Sequence, residues 1–583
     1  MYEINQEMIT KTRKLINDNF AQIDSEKDRF HQENNRNHLG EEFEKYSIRS
    51  EFSRDADRII YSKAFRRLEH KAQVYSNKKG DHYRTRLTHT LEVTQIARSI
   101  SRNLGLNEQL AEAIALGHDI GHTPFGHAGE AVLDDIMRGK DDLGGKLEFN
   151  IDYGGFKHNF NCLKILEIVE KREKGIGLNL TWQTLDGILK HTKVIKGDKK
   201  WDLSRFVRKI SNYENLIKYD YFDNESKPNY EHPLTLEGQV VAISDEIAQR
   251  EHDLDDSLRD GKLFRFEEMS KKIKSIIEET KDEITPENIG HNLFMKFYDE
   301  INQQDQIENT TEWKNLTSII ISYFILDVTE NTMRKLNECK TIDKYILIHN
   351  DHKYITEELI SFSEIGQKVN DKIDKFVEKR IINSFNVNRF DGKGKFILRQ
   401  LFKAYYENPR QMPRKQLIIL IRNIESIIKE YPILKCTLKE MPIDLKELSN
   451  INENYVDLNN LKPMLDILKL NRNKFGYDFK NIENPNEFMI KIFNIINFDH
   501  KKKLKESYDF QEIIDNFSET LFNFCNSKTT QEINKHSKDD KNFLLFVKGW
   551  NELHYAYLTT ICEYISQMTD DYAIKEYHEL YLD

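Results

Sequence analysis

Apolar residues recur three or four positions apart along almost the whole chain, which is the spacing of one face of an α-helix. Clear examples are Leu91, Ile96 and Ile100, then Leu110, Ala113 and Ile114, and then Ile247, Leu254 and Leu258. Glycine and proline, at 24 and 10 of 583 residues, are too scarce for a turn-rich all-β chain. The pattern therefore predicts an all-α protein, and it indicates that the apolar run from Leu316 to Val328 is a buried helix.

One helix has a clear beginning and end in the sequence. Asn107 precedes EQLAEAIAL and is a good N-cap, because its side chain can accept hydrogen bonds from the first free backbone N–H groups. The segment from Gly117 to Gly129 contains four glycines and Pro124, which interrupt the helix. Three histidines lie in the same segment. The sequence therefore predicts a histidine-rich loop directly after a helix.

Composition and charge exclude several classes of protein. With 38% hydrophobic and 32% charged residues the chain is of the globular type, and a net charge of −10 gives no basic surface for coating nucleic acid. The short patch KKKLK at 501–505 is better explained as a solvated helix face. The N-terminus lacks the apolar core of a signal peptide, and no apolar run reaches the ~20 residues that a bilayer requires. Five cysteines without a CxxC pair indicate a reducing compartment. We expect a cytoplasmic protein that does not bind membranes.

The histidine-rich loop carries residues that are typical of a metal site. GHDIGHTPFGH places His118, His122 and His127 within ten positions, beside Asp119. Imidazole nitrogens and carboxylate oxygens suit a divalent metal ion, and helices elsewhere in the chain supply another histidine and another aspartate. Taken alone, His89 or Asp245 is more often a structural residue. The ordered set His89, His118–Asp119 and Asp245 resembles the metal-binding signature of the HD-domain phosphohydrolase superfamily, which implies one metal site with these four ligands.

The stretches around these residues are more specific than the ligand pattern itself. They resemble the deoxynucleoside triphosphate triphosphohydrolases, the dGTPase-like family of the HD-domain phosphohydrolase superfamily. The similar blocks are RDADRIIYSKAFRRLEHKAQVY, DHYRTRLTHTLEVTQIARSI, LGHDIGHTPFGHAGE, GGFKHNFNCLKILE, LNLTWQTLDGILKH, EGQVVAISDEIAQREHDLDD and, at the end of the chain, EYISQMTDDYAIKEYHEL. The resemblance implies an all-α HD-domain core elaborated by additional helices.

This resemblance also divides the chain into predicted segments. They are an N-terminal helical segment (1–48), the catalytic HD core (49–260), a helical region packing on it (261–413), an enlarged helical insertion (414–545) and a C-terminal motif returning to the core (546–583). Two roles for the insertion remain open. It is either an elaborated packing or oligomer-contact region, or a module that binds an allosteric ligand or a partner.

Members of the family cut a deoxynucleoside triphosphate (dNTP) between the 5′ oxygen and the α-phosphorus, which yields a deoxynucleoside and intact triphosphate. The resemblance implies dGTP or several dNTPs as substrate and one divalent ion per site, with Mn, Mg, Fe, Zn and Co all open. It further leaves open an additional Mg bound with the triphosphate, an activating nucleotide and single-stranded DNA as a weakly supported ligand. A homo-oligomer, hexamer or tetramer, is expected, serving dNTP pool control or dNTP depletion against phage.

The resemblance assigns proton handling to His127, which follows PFG as the catalytic histidine of the family does. Glu130 stands three residues later, and this helical spacing predicts that its carboxylate hydrogen-bonds and orients the His127 ring. His122 in the same loop is expected to contact a phosphate. A hydrogen bond that only stabilises the loop is the alternative for His122.

Substrate contacts are expected from six further residues. Arg86, one helical turn before His89, would bring a fixed cation to the phosphates. Asp253, two turns after Asp245, could accept the 3′ hydroxyl. The remaining four are Gln73 and Val74 at the sugar, and His158 and Lys190 near the phosphates. An exposed helical position is the alternative for Lys190, and Gln249, where many relatives have tyrosine, leaves the base preference open.

Two other functions remain open from the sequence. An HD phosphohydrolase of another nucleotide would share the metal ligands but would not release triphosphate. A nucleotide sensor would bind dNTPs and act through the insertion without turnover.

Overall fold

The structure is a computed structural model, and most of its described residues are helical. It describes residues 6–23, 25, 29, 49–73, 84–145, 147, 153–170, 177–192, 232–259, 263–304, 309–338, 342–349, 352–430, 552 and 554–582. The helices are α1 (Gln6–Asn19), α2 (Glu51–Ile60), α3 (Lys63–Arg67), α4 (Arg86–Leu104), α5 (Glu108–Gly117), α6 (Gly126–Met137), α7 (His158–Lys164), α8 (Trp182–Lys190), α9 (Leu236–Arg259), α10 (Phe266–Asp282), α11 (His291–Gln303), α12 (Thr310–Glu338), α13 (Glu364–Val377), α14 (Phe385–Glu407), α15 (Arg414–Glu430) and α16 (Asp570–Tyr581), and residues 554–566 are also helical.

Shorter elements complete this list. Single 3₁₀ turns cover Leu68–His70, Ile342–Tyr345 and Pro409–Gln411, and π-type turns extend α7 over Ile165–Val169 and α13 over Glu378–Ile382. One antiparallel hairpin, β1 (Ile346–His349) and β2 (His352–Ile355), is the whole sheet content of the described residues. The predicted all-α class is confirmed.

Local sequence explains where α4 and α5 begin. Thr85 and Thr88 form a reciprocal capping box at the start of α4, and Gly105 ends it in a left-handed conformation with φ of 79°. The Asn107 side chain accepts from the backbone N–H groups of Gln109 and Leu110 at 3.1 and 3.3 Å, so the predicted N-cap of α5 is confirmed. These caps fix where α4 and α5 begin. The start of α4 and the end of α5 carry residues of the candidate site.

The core of this region is the apolar side of α4 packed against α5 and α9. Its buried residues include Val93, Ile100, Leu110, Ile114 and Val240. The predicted helix within 316–328 is confirmed as part of α12, whose Leu316, Ile320, Phe324 and Val328 are all buried. Among the described residues, every helix is too short or too polar to span a bilayer.

The chain forms two compact units, each built from segments that are distant in sequence. Unit 1 comprises residues 1–131, 156–396 and 566–575, and all the predicted site residues that the structure describes belong to it. The predicted site residue Val74 lies outside the described residues. Unit 2 comprises residues 132–155, 397–565 and 576–583, where Arg399 pairs with Asp141 at 2.6 Å and the Tyr405 hydroxyl donates to Glu576 at 2.6 Å. Most of the predicted insertion, residues 431–545, lies outside the described residues, and the proposed segment boundaries stay predictions.

Candidate active site

Two histidines and two aspartates converge where α4, α9 and the end of α5 meet. The Nε2 atom of His89, on α4, lies 3.0 Å from Oδ1 of Asp245, on α9, and 3.9 Å from Oδ2 of Asp119. The Nε2 atom of His118 lies 3.7 Å from Oδ1 of Asp119 and 3.7 Å from Oδ1 of Asp245. The four predicted ligands, here called the metal-ligand set, are therefore brought together although 156 residues separate His89 from Asp245.

The hydrogen bonding of the His118 ring suits a metal ligand. Its Nδ1 donates to the carbonyl oxygen of Ala115 at 2.6 Å, so a neutral ring has its free lone pair on Nε2. That Nε2 is buried and has no hydrogen-bond partner among the described residues. A buried polar atom without a partner is costly, and a divalent ion between the two carboxylates would satisfy it.

The charges of the side chains in the metal-ligand set also favour a bound cation. Burial alone would raise the pKa of Asp119, but Arg86, His122 and His118 hold it well below its ordinary value. Burial likewise opposes ionisation of Asp245, but the hydrogen bond from His89 and the nearby His118 lower its pKa. Burial opposes protonation of His89, yet Asp245 and Asp119 raise its pKa above the ordinary value. A proton held there by two carboxylates is one that a divalent ion would replace.

A second group, here called the outer histidine cluster, consists of His122, His127, Glu130 and His158. One ligand-capable atom from each of these residues lies within 4.8 Å of the others. The rings of His122 and His158 are stacked with centroids 3.8 Å apart, and His122 Nε2 lies 3.0 Å from Asp119 Oδ1, which joins the cluster to the metal-ligand set. His127 alone among the four is exposed, so it is the member that a substrate can reach directly.

Glu130 hydrogen-bonds to a different histidine from the one expected. Its carboxylate accepts from His158 Nδ1 at 2.5 Å, from the His158 backbone N–H at 3.1 Å and from the Lys157 ammonium at 3.0 Å. The three-residue spacing does bring Glu130 near His127, but the hydrogen bonds go to His158, because Glu130 faces the N-terminus of α7. Burial opposes ionisation of Glu130, but His158 and Lys157 lower its pKa strongly.

The surroundings of His127 favour its neutral form. Although its ring is accessible to solvent, the neighbouring protein desolvates it, and His158, Arg86 and Lys157 add repulsion that the charge of Glu130 only partly offsets. The pKa of His127 is lowered to about 4 as a result. A neutral imidazole that opens toward solvent can accept a proton or orient a water.

Arg86 lies against the metal-ligand set. Its Nη1 donates to Asp119 Oδ2 at 2.8 Å, and both side chains are buried. Gly126, in the left-handed region with φ of 56°, permits this position, because a Cβ there would lie 2.8 Å from Arg86 Nη2. The cation predicted for the phosphates is thus held next to a metal ligand.

The other predicted substrate residues differ in their surroundings. Gln73 Oε1 and Asp253 Oδ1 are buried without a hydrogen-bond partner among the described residues, and burial raises the pKa of Asp253 to about 7. Lys190 is instead paired, with its ammonium 2.6 Å from Oδ1 of Asp186 one helical turn earlier. Asp186 also accepts the backbone N–H of Leu234 at 2.7 Å, so this pair joins α8 to the start of α9.

The structure adds His252 and Glu92, which the sequence interpretation did not single out. His252 and Glu92 lie behind His89, and His252 stands seven residues after Asp245, a two-turn spacing that could have indicated a shared helix face. His191 extends the row of imidazoles, with its Nε2 3.2 Å from Nε2 of His158. Burial, reinforced by repulsion from His118 and His158, lowers the pKa of His191 to about 3.

The C-terminal segment supports the histidine-rich loop. Both oxygens of Asp570 accept backbone N–H groups, from Ala72 at 2.9 Å and from Phe125 at 2.9 Å. The buried ammonium of Lys71 donates to the carbonyl oxygens of His122 and of Ser566. No short-range sequence signal could have paired residues that are more than 440 positions apart.

Comparisons with known proteins agree with this geometry. The family model described as "HD domain" matches residues 86–250, which include the whole metal-ligand set. Proteins called deoxyguanosinetriphosphate triphosphohydrolase-like are similar to the chain. One from Geobacter metallireducens is 33% identical over 388 residues, which cover 66% of this chain and 84% of the relative. One from Rickettsia bellii is 34% identical over 63% of this chain and 82% of the relative, and one from Caldanaerobacter subterraneus is 46% identical over 40% and 54%.

The matched region contains the metal-ligand set and the outer histidine cluster, and the first of these alignments spans most of the relative's own length. The chain therefore belongs to the deoxyguanosinetriphosphate triphosphohydrolase-like family of HD-domain phosphohydrolases.

Proposed function

We propose that this protein hydrolyses deoxynucleoside triphosphates to a deoxynucleoside and inorganic triphosphate. The observation that carries the proposal is the convergence of four candidate metal ligands, the buried His89, His118 and Asp119 and the partly buried Asp245, near an exposed, neutral histidine, His127. The relatives' names support the reaction class and the nucleotide substrate. dGTP is one candidate substrate, and the other dNTPs are tested with it.

The metal-ligand set would hold one divalent ion. Two imidazole nitrogens and two carboxylates suit Mn, Fe, Co or Zn as well as Mg, and a further Mg ion would accompany the triphosphate of the substrate. When bound, the divalent ion supplies Lewis-acid polarisation of a phosphoryl oxygen. The chain's own residues then have three tasks, which are to neutralise the triphosphate, to handle the protons and to hold the sugar.

Arg86 serves the first task in this proposal. Its guanidinium keeps a positive charge at any physiological pH, and its ion pair with Asp119 fixes it beside the ligand set. A phosphate close to Asp119 would therefore meet a cation that is already in place. Lys190 is less well supported in this role, because its ammonium already pairs with the buried carboxylate of Asp186.

His127 serves the second task. The reaction removes a proton from the attacking water and delivers a proton to the departing 5′ oxygen, so one group that can do either step is required. His127 is neutral and faces solvent, while Glu130 holds the neighbouring His158 by two hydrogen bonds. Glu130 and His122 thus act on His127 by fixing the rings around it.

The sugar end of the site is proposed to involve Gln73, Val74 and Asp253. Gln73 and Asp253 each present a buried oxygen without a hydrogen-bond partner among the described residues, which a substrate hydroxyl could satisfy. The raised pKa of Asp253, about 7, makes its carboxyl able to donate as well as accept near neutral pH. A close contact at C2′ would exclude ribonucleotides.

A product assay tests the proposal. Each dNTP, singly and as a mixture, is incubated with the full chain and Mn²⁺ or Mg²⁺, and triphosphate and deoxynucleoside are quantified. We expect stoichiometric triphosphate from the wild type, none from His118→Ala, and a turnover number about 10²–10⁴-fold lower for His127→Ala. His70→Ala removes another exposed histidine outside the site and should leave turnover unchanged.

Three outcomes would contradict or extend the proposal. Release of monophosphate or diphosphate would indicate an HD phosphohydrolase with a different bond specificity. Binding of dNTPs without any product would favour the sensor. Hydrolysis only in the mixture would add an activating nucleotide to the proposal. Sedimentation of the full chain tests the proposed hexamer or tetramer, and the reaction itself would serve dNTP pool control or depletion of dNTPs during phage infection.

A further inference from the structure

The side of His89 that faces away from the metal-ligand set contacts a second buried histidine. His89 Nδ1 lies 2.9 Å from Nδ1 of His252, and the two rings meet edge to face with centroids 5.0 Å apart. His252 Nε2 in turn contacts the carboxylate of Glu92. His89 and Glu92 are one turn apart on α4, and His252 lies on α9 two turns after Asp245. Both nitrogens of His89 are therefore bound by α9.

The order of atoms fixes the positions of the protons. A carboxylate only accepts hydrogen bonds, so the proton of His252 that faces Glu92 must be on Nε2. A neutral His252 then has a bare Nδ1, which can only accept, so His89 must donate its Nδ1 proton to it. In the metal-free protein His89 Nε2 donates to Asp245 at 3.0 Å. Once a divalent ion replaces that proton, the proton kept on Nδ1 leaves the lone pair on Nε2, which also lies 3.9 Å from Asp119.

Arg84 holds the far end of this chain of hydrogen bonds. Its Nε lies 3.4 and 3.3 Å from the two oxygens of Glu92, and its Nη1 lies 2.6 Å from Asp255. Glu92, Glu251 and His252 could by themselves suggest another metal site. The guanidinium of Arg84 already pairs with both carboxylates, with Nη2 3.1 Å from Glu251, so a positioning role explains the cluster better.

We propose that His252, held by Glu92 and Arg84, is a positioning residue that keeps His89 in the tautomer and orientation required to bind the divalent ion. This inference rests on the metal site of the proposed function. Hydrogen-bond partners behind metal-ligating histidines typically change metal affinity about 10–100-fold when they are removed. The effect is therefore expected in the affinity for the metal itself and does not depend on a dNTP assay.

The test measures the dissociation constant for Mn²⁺ by competition with a chelator, using the full chain without nucleotide. His252→Phe keeps a ring of similar size but cannot accept the His89 proton, and its Mn²⁺ dissociation constant should rise about 10–100-fold. His252→Asn can place an amide oxygen near the position of Nδ1, so it should recover part of this loss. Ser257→Ala, another buried position on α9 whose hydroxyl donates only to the Leu254 carbonyl oxygen, is the matched control.

Glu92→Gln tests the proton logic with little risk to folding, because the Glu92 side chain is 44% exposed. A glutamine amide can donate to His252 Nε2, which places the His252 proton on Nδ1, against His89. This isosteric change should therefore also weaken Mn²⁺ binding. Thermal unfolding in EDTA shows whether each metal-free variant is folded.

The outcomes separate this inference from the proposed metal site. Weaker Mn²⁺ binding in His252→Phe and Glu92→Gln, with unchanged unfolding in EDTA, supports the positioning role. Wild-type affinity in both variants, while His118→Ala loses the ion, overturns the positioning role alone. If neither the wild type nor His118→Ala binds Mn²⁺, the proposed metal site fails and this inference fails with it.

Discussion

Gly121→Ala is predicted to displace the histidine-rich loop from α7 and to reduce both catalysis and stability. Gly121 lies between Asp119 and His122, and its backbone is joined to α7 on both sides. Its N–H donates to Cys162 Sγ at 3.1 Å, and its carbonyl oxygen accepts from Asn161 Nδ2 at 2.7 Å. A Cβ at this position would lie 2.8 Å from Cys162 Sγ and closer still to backbone atoms of His158 and Cys162.

The size of the effect follows from these contacts. Real Cβ atoms essentially never approach other atoms within 3.0 Å, and the atoms in the way are backbone atoms that cannot rotate aside. Relief requires the loop to move by roughly 1 Å, and overpacking of this kind typically costs about 1–3 kcal/mol of unfolding free energy. A displacement of roughly 1 Å in positioned catalytic groups costs about 10²-fold in rate.

The assay compares rates of triphosphate release over a range of dNTP concentrations, together with urea unfolding. We expect the kcat of Gly121→Ala to fall about 100-fold and its unfolding free energy to fall by about 1–3 kcal/mol. Gly392→Ala is the control, because Gly392 lies exposed within α14 and a Cβ there meets nothing within 4 Å. That variant should keep its kcat and gain up to about 1 kcal/mol from helix propensity. A Gly121→Ala protein with wild-type kcat and wild-type unfolding would refute the packing argument.

Three further predictions concern pH, the C-terminal segment and the metal. Burial raises the pKa of Glu237 to about 7, so the folded state prefers the neutral carboxyl, and stability present below its ordinary pKa of 4.5 is lost as the pH rises through 7. Urea unfolding therefore compares Glu237→Gln with the wild type at pH 8 and at pH 4.5. The gain in unfolding free energy from the substitution should be larger at pH 8 by up to roughly 3 kcal/mol, and an equal gain at both pH values would contradict this. Asp570→Ala leaves two backbone N–H groups without an acceptor, so it should lower kcat and lower the unfolding free energy by about 2–4 kcal/mol. Asp571→Ala, at an exposed position, is the control and should change neither. Equal effects of the two substitutions would contradict the role of Asp570 in holding the histidine-rich loop. Mn²⁺ at 100 times its dissociation constant should raise the unfolding free energy by about 2.7 kcal/mol. EDTA should reverse this effect and His118→Ala should abolish it. A wild-type protein whose thermal unfolding does not change with Mn²⁺ would contradict the metal site.

The all-α class, the N-cap at Asn107 and the buried helix around Leu316 to Val328 were predictable because they depend on local patterns. Helical periodicity, caps and glycines act within a few residues of one another. The same is true of the histidine-rich loop, whose density of His and Asp stands out in the sequence. The resemblance to a known family then linked this loop to His89 and Asp245.

Contacts between side chains on different helices were not predictable in this way. Spacing on α6 favoured a bond from Glu130 to His127, but packing of α6 against the start of α7 gives the bond to His158 instead. The spacing along α6 does not indicate which helix will cover that face. Lys190 was expected near phosphate, yet it pairs with Asp186 four residues earlier on the same helix, a local spacing that could have indicated the pair.

The sequence by itself determined that this chain is helical, that it carries a divalent-metal ligand pattern and that it resembles dNTP triphosphohydrolases. Only the tertiary structure decided which atoms meet. It placed His252 behind His89 and Asp570 against the loop, across 163 and 445 positions of the chain. The physical reason is that helix formation follows from neighbouring residues, whereas a hydrogen bond between distant residues depends on how whole helices pack and on which buried polar groups still lack a partner.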